Sequence, residues 1–158
     1  MLRLGLLLAL SLATTAHAQT PSGPQATCFV REILATHEGK PGSIDPKITR
    51  LRPYFQKAPF TAWNSFHYID EKDMAIGPGS TDKFDLANGK HAALTYVDHV
   101  LNPAGKHRLR LRLQIDEGTK KFLDTTFVLD EGGVVLQAGQ KHGGGVLVLG
   151  FSCDIPND

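Results

Sequence analysis

The chain has little sulfur chemistry to offer. Its 158 residues hold two cysteines, Cys28 and Cys153, and no Cys-x-x-Cys spacing. A dithiol redox motif and a paired-cysteine zinc site are thereby excluded. The usual nucleophile and metal signatures are missing too: there is no Gly-x-Ser-x-Gly, no His-x-His and no His-Glu-x-x-His, so neither a nucleophile elbow nor a zinc-peptidase helix can be written down. Net charge is also absent. Lys plus Arg number 17 and Asp plus Glu 16, a balance that argues against bulk electrostatic binding to nucleic acid or to an anionic membrane. Only one long apolar run exists, Leu4 to Ala13, about half the ~20 residues a spanning helix needs.

That run sits behind Arg3 and ahead of Ala16-His17-Ala18, the positive, apolar and small-x-small layout of a secretory signal peptide. Residues 1–18 are therefore expected to be a removed leader, and the mature chain to work in the periplasm or outside the cell. Gln19 follows the cleavage site where a lipoprotein would carry Cys. Loss of Arg3 leaves 16 basic against 16 acidic side chains. Residues 19–27 are polar and Pro/Ser/Gly-rich and read as a flexible leader. Residues 28–158 suffice for one domain with its own core. In an oxidising compartment Cys28 and Cys153 most simply pair. Such a bridge would close nearly the whole chain and contribute roughly 4–5 kcal/mol on the loop-entropy account. Two separate buried thiols are the alternative.

Strand signals dominate the rest. Cys28–Ala35 is apolar, with β-branched and aromatic residues. Asp45-Pro46 is a helix start, since Asp caps free N–H groups and Pro is tolerated in the first turn. Ile48, Leu51 and Phe55 share one helical face, and Pro53 is expected to stop or kink the helix near Arg52. One short helix near residues 45–57 follows. Trp63–Asp70 is aromatic-rich. Lys83–Ala87 and Lys90–Leu101 flank Asn88-Gly89, a strong hairpin signal, and a parity change inside Lys90–Leu101 predicts a bulge. His107–Asp116 alternates cleanly, with Leu109, Leu111, Leu113 and Ile115 on one face and Arg108, Arg110, Arg112 and Gln114 on the other. A three-residue loop at Glu117-Gly118-Thr119 would pair Asp116 with Lys120, Leu113 with Leu123, Leu109 with Phe127 and Arg112 with Asp124. Val134–Ala138 is a further strand, Gly139–Gly145 a glycine-rich loop, and Val146–Cys153 an apolar strand buried on both faces. Eight or nine short strands with turn chemistry between them predict a mainly β fold, an antiparallel β-sandwich or flattened barrel.

Few residues offer chemistry. Arg108, Arg110 and Arg112 would stand roughly 6.5–7 Å apart along one strand face and could grip phosphate, sulfated glycan or an acidic partner; a solvated face with cross-strand carboxylates is the plainer reading. Histidines 37, 67, 91, 99, 107 and 142 lack ligand spacing. His91 and His99 share a strand parity but lie about 26 Å apart along it, while His107 and His142 could meet across strands. Gly143-Gly144-Gly145 lacks the Lys-Ser/Thr and the helix of a phosphate loop. Asp70, Glu71, Asp73 and Asp85 are ordinary loop acids, and Tyr54, Trp63, Tyr68 and Tyr96 read as core before they read as a sugar platform.

Several segments together resemble a group of small exported bacterial proteins. They are Ile33-Leu34-Ala35, the Asp45-Pro46 helix, Phe60-x-x-Trp63-x-x-Phe66, Leu86-Ala87-Asn88-Gly89-Lys90, and Gly143-Gly144-Gly145-Val146-Leu147-Val148-Leu149. The resemblance implies the β-sandwich fold and carries no activity or site residue. The expected function is a non-enzymatic exported module with a structural or interaction role in the envelope or exterior. Its partner would be an envelope or extracellular protein or an anionic ligand, with no cofactor. The alternatives are an anion- or glycan-binding module on the arginine row, and a hydrolase or metal enzyme.

Overall fold

The computed structural model describes residues 23–156. The expected secretory leader, residues 1–18, lies outside the described residues. Among the described residues nine strands form two sheets. Strands β1 (Ala26–Thr36), β2 (Ser43–Ile44), β3 (Ser65–Ile76), β8 (Val135–His142) and β9 (Gly145–Asp154) make the first, in the order β2-β3-β1-β9-β8. Strands β4 (Thr81–Asp85), β5 (His91–Leu101), β6 (His107–Glu117) and β7 (Lys120–Asp130) make the second, in that order. All pairings are antiparallel except the two-residue β2–β3 contact. β1 begins at Ala26, so Ala26 and Thr27, the last two residues of the expected flexible leader (residues 19–27), are paired strand.

The first sheet is buried on both faces. Towards the second sheet it presents Cys28, Val30, Met74, Leu147, Leu149 and Phe151, packed against Leu94, Tyr96, Leu109, Leu111, Leu113, Ile115 and Leu129. Its other face presents Ile33, Ala35, Phe66 and Val148, covered by Ile48, Leu51, Phe55 and Phe60 of the intervening chain. The molecule therefore has three layers: a short helical segment, a doubly covered sheet, and a second sheet with an open outer face. β3 serves both cores through a bulge. Its register with β1 shifts where Glu32 pairs with Asp70 and Ile33 with Tyr68. The extra residue, Ile69, inverts the alternation. Phe66 and Tyr68 then face the helical layer, while Met74 and Ile76 face the second sheet. Cys28 and Cys153 are register partners on adjacent central strands, and they are disulfide-bonded across 125 residues of sequence.

Local chemistry accounts for the helical layer. Asp45 caps a 3-10 helix, Pro46–Leu51, by accepting from the Lys47 N–H at 2.9 Å. The 3-10 helix stops at Leu51, beside the break expected near Arg52, and Pro53 occupies the first turn of a separate helix, α1 (Arg52–Phe55), where an absent N–H costs nothing. A second 3-10 turn, Phe60–Ala62, completes the layer. Ile48, Leu51 and Phe55 all point inward, as their spacing predicts.

Three expectations need correction. The β6–β7 turn contains two residues, not three: Glu117 pairs with Lys120, and a bulge between Ile115 and Asp116 follows. Leu113 therefore pairs with Thr125, Leu111 with Phe127 and Gln114 with Asp124. Beyond the bulge the shift is by two, so Leu123, Phe127 and Leu129 keep their face. Gly139–Gly145 is mostly strand: β8 continues to His142 past a bulge between Ala138 and Gln140, and a two-residue turn leads into β9. In the Leu86–Lys90 turn only Gly89 has positive φ, +79°; Asn88 instead accepts from the Lys90 N–H at 3.2 Å. The expected bulge in β5 is present, between Tyr96 and Asp98. Gly145 cannot be replaced without cost, because a Cβ there would overlap the carbonyl oxygen of Ala35.

Candidate functional site

Two surfaces carry the charge, and they are built differently. On the outer face of the second sheet the three arginines stand in a row on β6, as predicted. Each meets an aspartate on a neighbouring strand. Arg108 Nε donates to Asp130 at 2.7 Å. Arg110 is held by both carboxylate oxygens of Asp98, with Nε donating at 3.0 Å. Arg112 Nε and Nη2 each donate to Asp124 at 2.7 Å. Asp124 also accepts from Lys121 and Gln114. Hydrogen bonds from Arg112 first and then Lys121 hold its carboxyl well below the usual carboxylate range. Arg112 reaches Asp124 diagonally, since Thr126 is its direct partner; diagonal neighbours lie within reach of long side chains. A shallow hollow of about 160 Å³ beside Arg108 and Arg110 is walled by Val100 and Val128. An anion binding to this row would have to displace or share an aspartate.

The helical layer is the opposite case. Residues 37–64 contain Lys40, Lys47, Arg50, Arg52 and Lys57 against Glu38 and Asp45. Among the described residues none of these five cations forms an ion pair. Lys47 instead lies over the Tyr68 ring, Nζ 4.7 Å from its centroid. A cleft of about 270 Å³ opens between this layer and the β2–β3 edge. Ile44, Phe55, Phe66 and Trp63 wall it, and Arg52, Gln56, Thr61 and Asn64 bring polar atoms. Phe55 and Phe66 stack with centroids 3.9 Å apart, while Phe60 lies 6.2 Å from Trp63. Asn64 is fixed by donating to the His37 carbonyl, and Trp63 is flanked by the His37 ring at 6.5 Å. The volume lies just below that of ordinary ligand sites, which run from about 300 Å³ upward.

The remaining chemistry-bearing residues are dispersed. Arg31 and Glu32, adjacent on β1, are both buried and face opposite layers. Arg31 pairs with Glu71 and donates to Ser152 at 2.9 Å. Glu32, 1 % exposed, accepts from Lys72 at 2.7 Å and from the Ala87 N–H at 2.7 Å, which ties the first sheet to the β4–β5 turn. Burial draws the Lys72 ammonium down, but its bonds to Glu32 and Asp70 outweigh this and raise it. The bond from Lys72 lowers the carboxyl of Asp70. Asp85 bonds His91 at 2.6 Å, and His67 bonds Ser65 at 3.1 Å. His107 and His142 do not meet, because they sit in different sheets; the neighbour of His107 is His99, with ring centroids 5.6 Å apart. Both Nδ1 atoms are buried without a partner, as is the Tyr96 hydroxyl. Among the described residues no group of three or more His, Cys, Asp or Glu side chains is placed to hold a metal, and no helix is long and apolar enough to cross a membrane.

Sequence reasoning missed the cleft. Trp63 is visible as an aromatic, but nothing in residues 41–66 signals that Ile44, Arg52 and Asn64 meet. The one available signal was the run of five cations in a chain whose charges nearly balance overall. Compared with protein-family profiles, curated proteins and solved structures, the chain matches none.

Proposed function

We propose that the protein is an exported, non-catalytic interaction module of the periplasm or cell exterior, related to the small exported bacterial proteins that its strand and turn pattern resembles. Its recognition face is the helical layer with its aromatic cleft. The observation that carries the reading is the contrast in charge pairing. The three arginines of β6 are each bonded to an aspartate, whereas among the described residues the five cations of the helical layer form no ion pair and lie around a cleft walled by the half-buried Trp63. Unpaired charge on a fold that balances its charges elsewhere is available to a partner. The disulfide is compatible with an oxidising compartment outside the cytosol.

The alternative anion site, the arginine row, has the right spacing but offers no free guanidinium, and a ligand there would compete with three intramolecular carboxylates. The test is fractionation of a bacterial host expressing the full chain with a C-terminal tag, read by intact mass. The expected result is a fragment beginning at Gln19 in the periplasm or medium, with no thiol open to alkylation before reduction. Uncleaved protein in the cytosol with two reactive thiols overturns the reading.

A further inference from the structure

We infer that the cleft between the helical layer and the β2–β3 edge binds a small planar ring bearing one carboxylate. The inference rests on the proposed reading of that face and names its ligand. The walls supply the first half of the argument. Trp63, Phe55 and Phe66 form an apolar, aromatic pocket of about 270 Å³, room for one or two rings, and aromatic walls favour offset or edge contact with another ring. The charge supplies the second half. Arg52 is the sole charged residue in the lining, it lies at the start of α1 on the solvent side, and among the described residues its guanidinium makes no hydrogen bond or ion pair.

A lone guanidinium beside neutral amides matches a monoanion. Its planar fork fits a carboxylate bidentately, and Gln56 and Asn64 lie in the same lining to bond the ligand's remaining oxygen or ring substituents. A doubly charged phosphate would leave one charge uncompensated there, since the lining holds no second cation. A neutral ring would leave the exposed guanidinium to water and gain no charge-assisted bond from it.

Trp63 is the single tryptophan of the chain, so intrinsic fluorescence reports on this cleft alone. Phenylacetate, phenylacetamide and acetate are the probes, titrated into the oxidised full-length mature protein. The expected result is a saturable change with phenylacetate, about tenfold or more weaker with phenylacetamide, as loss of a charge-assisted bond implies, and no change with acetate. Arg52→Gln should bring phenylacetate down to the level of phenylacetamide and leave phenylacetamide unaffected. Equal binding of phenylacetate and phenylacetamide, or no response to either, overturns the ligand class. Photo-crosslinking from Thr61 in the host envelope separates the two levels. An adduct lost in Arg52→Gln, together with a silent Trp63, discards the planar carboxylate and keeps the face. No adduct and no titration discards both.

Discussion

The helical layer and the outer face of the second sheet cover a similar job with opposite economies. Both carry rows of basic side chains over a β-sheet. On the sheet, Arg108, Arg110 and Arg112 are answered by Asp130, Asp98 and Asp124. On the layer, five cations have two acids near them in sequence and, among the described residues, no ion pair. The sheet is a closed electrostatic surface whose bonds are satisfied within the chain. The layer is an open one. Its short turns pack through Ile48, Leu51, Phe55 and Phe60 onto the first sheet, and its polar atoms are turned outward around a cleft. Charge count alone would rank the two faces alike; charge pairing tells them apart.

The largest expected effect comes from removing what holds the layer down. Phe66→Ala empties the ring against which Phe55 stacks. Chemical denaturation should show a loss of about 3–5 kcal/mol, and hydrogen exchange should open residues 46–62 before β5, β6 and β7. Uniform opening of both regions would break the comparison, since the layer would then be no separate unit. A smaller loss is expected at the seam between the sheets. Glu32→Ala leaves Lys72 and the Ala87 N–H without their acceptor. Removing one partner of a buried pair costs about 3–5 kcal/mol at full burial, and because Lys72 is partly exposed the expected cost is about 2 kcal/mol. Recovery in Glu32→Gln, which keeps the acceptor for Ala87, would sharpen the account by separating the hydrogen bond from the charge.

The sheet face should respond weakly, because its pairs are exposed. Arg112→Gln is expected to lower the thermal midpoint at pH 7 by about 2 °C or less. The pH dependence has a defined sign. Asp124 and Asp70 titrate lower in the fold than in the open chain, so their contribution is complete above the ordinary aspartate value near pH 4. It is lost progressively as pH falls through their lower folded values. The gap between parent and Arg112→Gln should therefore narrow steadily as pH falls below about 4. A gap that widens on acidification would show the pair to be irrelevant. Arg52→Gln, at the other face, should change stability by less than about 0.5 kcal/mol at either pH.

Much of this plan was readable in the chain and some was not, for physical reasons. Alternation in His107–Asp116 placed Leu109 through Ile115 in the core and the arginines outside, because a strand's period of two is local. The partner register was not readable from the same pattern, since a slip of two preserves the faces; the two-residue turn at Gly118-Thr119 and the bulge beside Ile115 together decide it. The bulge in β5 showed itself as a parity conflict between Tyr96 and Leu101. The bulge at Ile69 did not, although it lets β3 serve two cores, because both halves of that strand carry mixed side chains. Gly139 looked like the start of a loop and is a bulge within β8. The order of the first sheet, and the cleft formed where β2 meets Trp63 and Arg52, depend on contacts between distant segments. No local periodicity encodes those contacts.

The most direct test sets the two arginines side by side. Arg52→Gln and Arg112→Gln remove one positive charge each, from the open face and from the closed one. Thermal unfolding and a Trp63 titration with phenylacetate are to be recorded on both and on the parent. A double dissociation is expected: Arg52→Gln keeps the parental midpoint and loses about tenfold in affinity, whereas Arg112→Gln lowers the midpoint slightly and binds as the parent does. Equal effects in both variants, or a loss of binding confined to Arg112→Gln, would contradict the division of labour between the two faces.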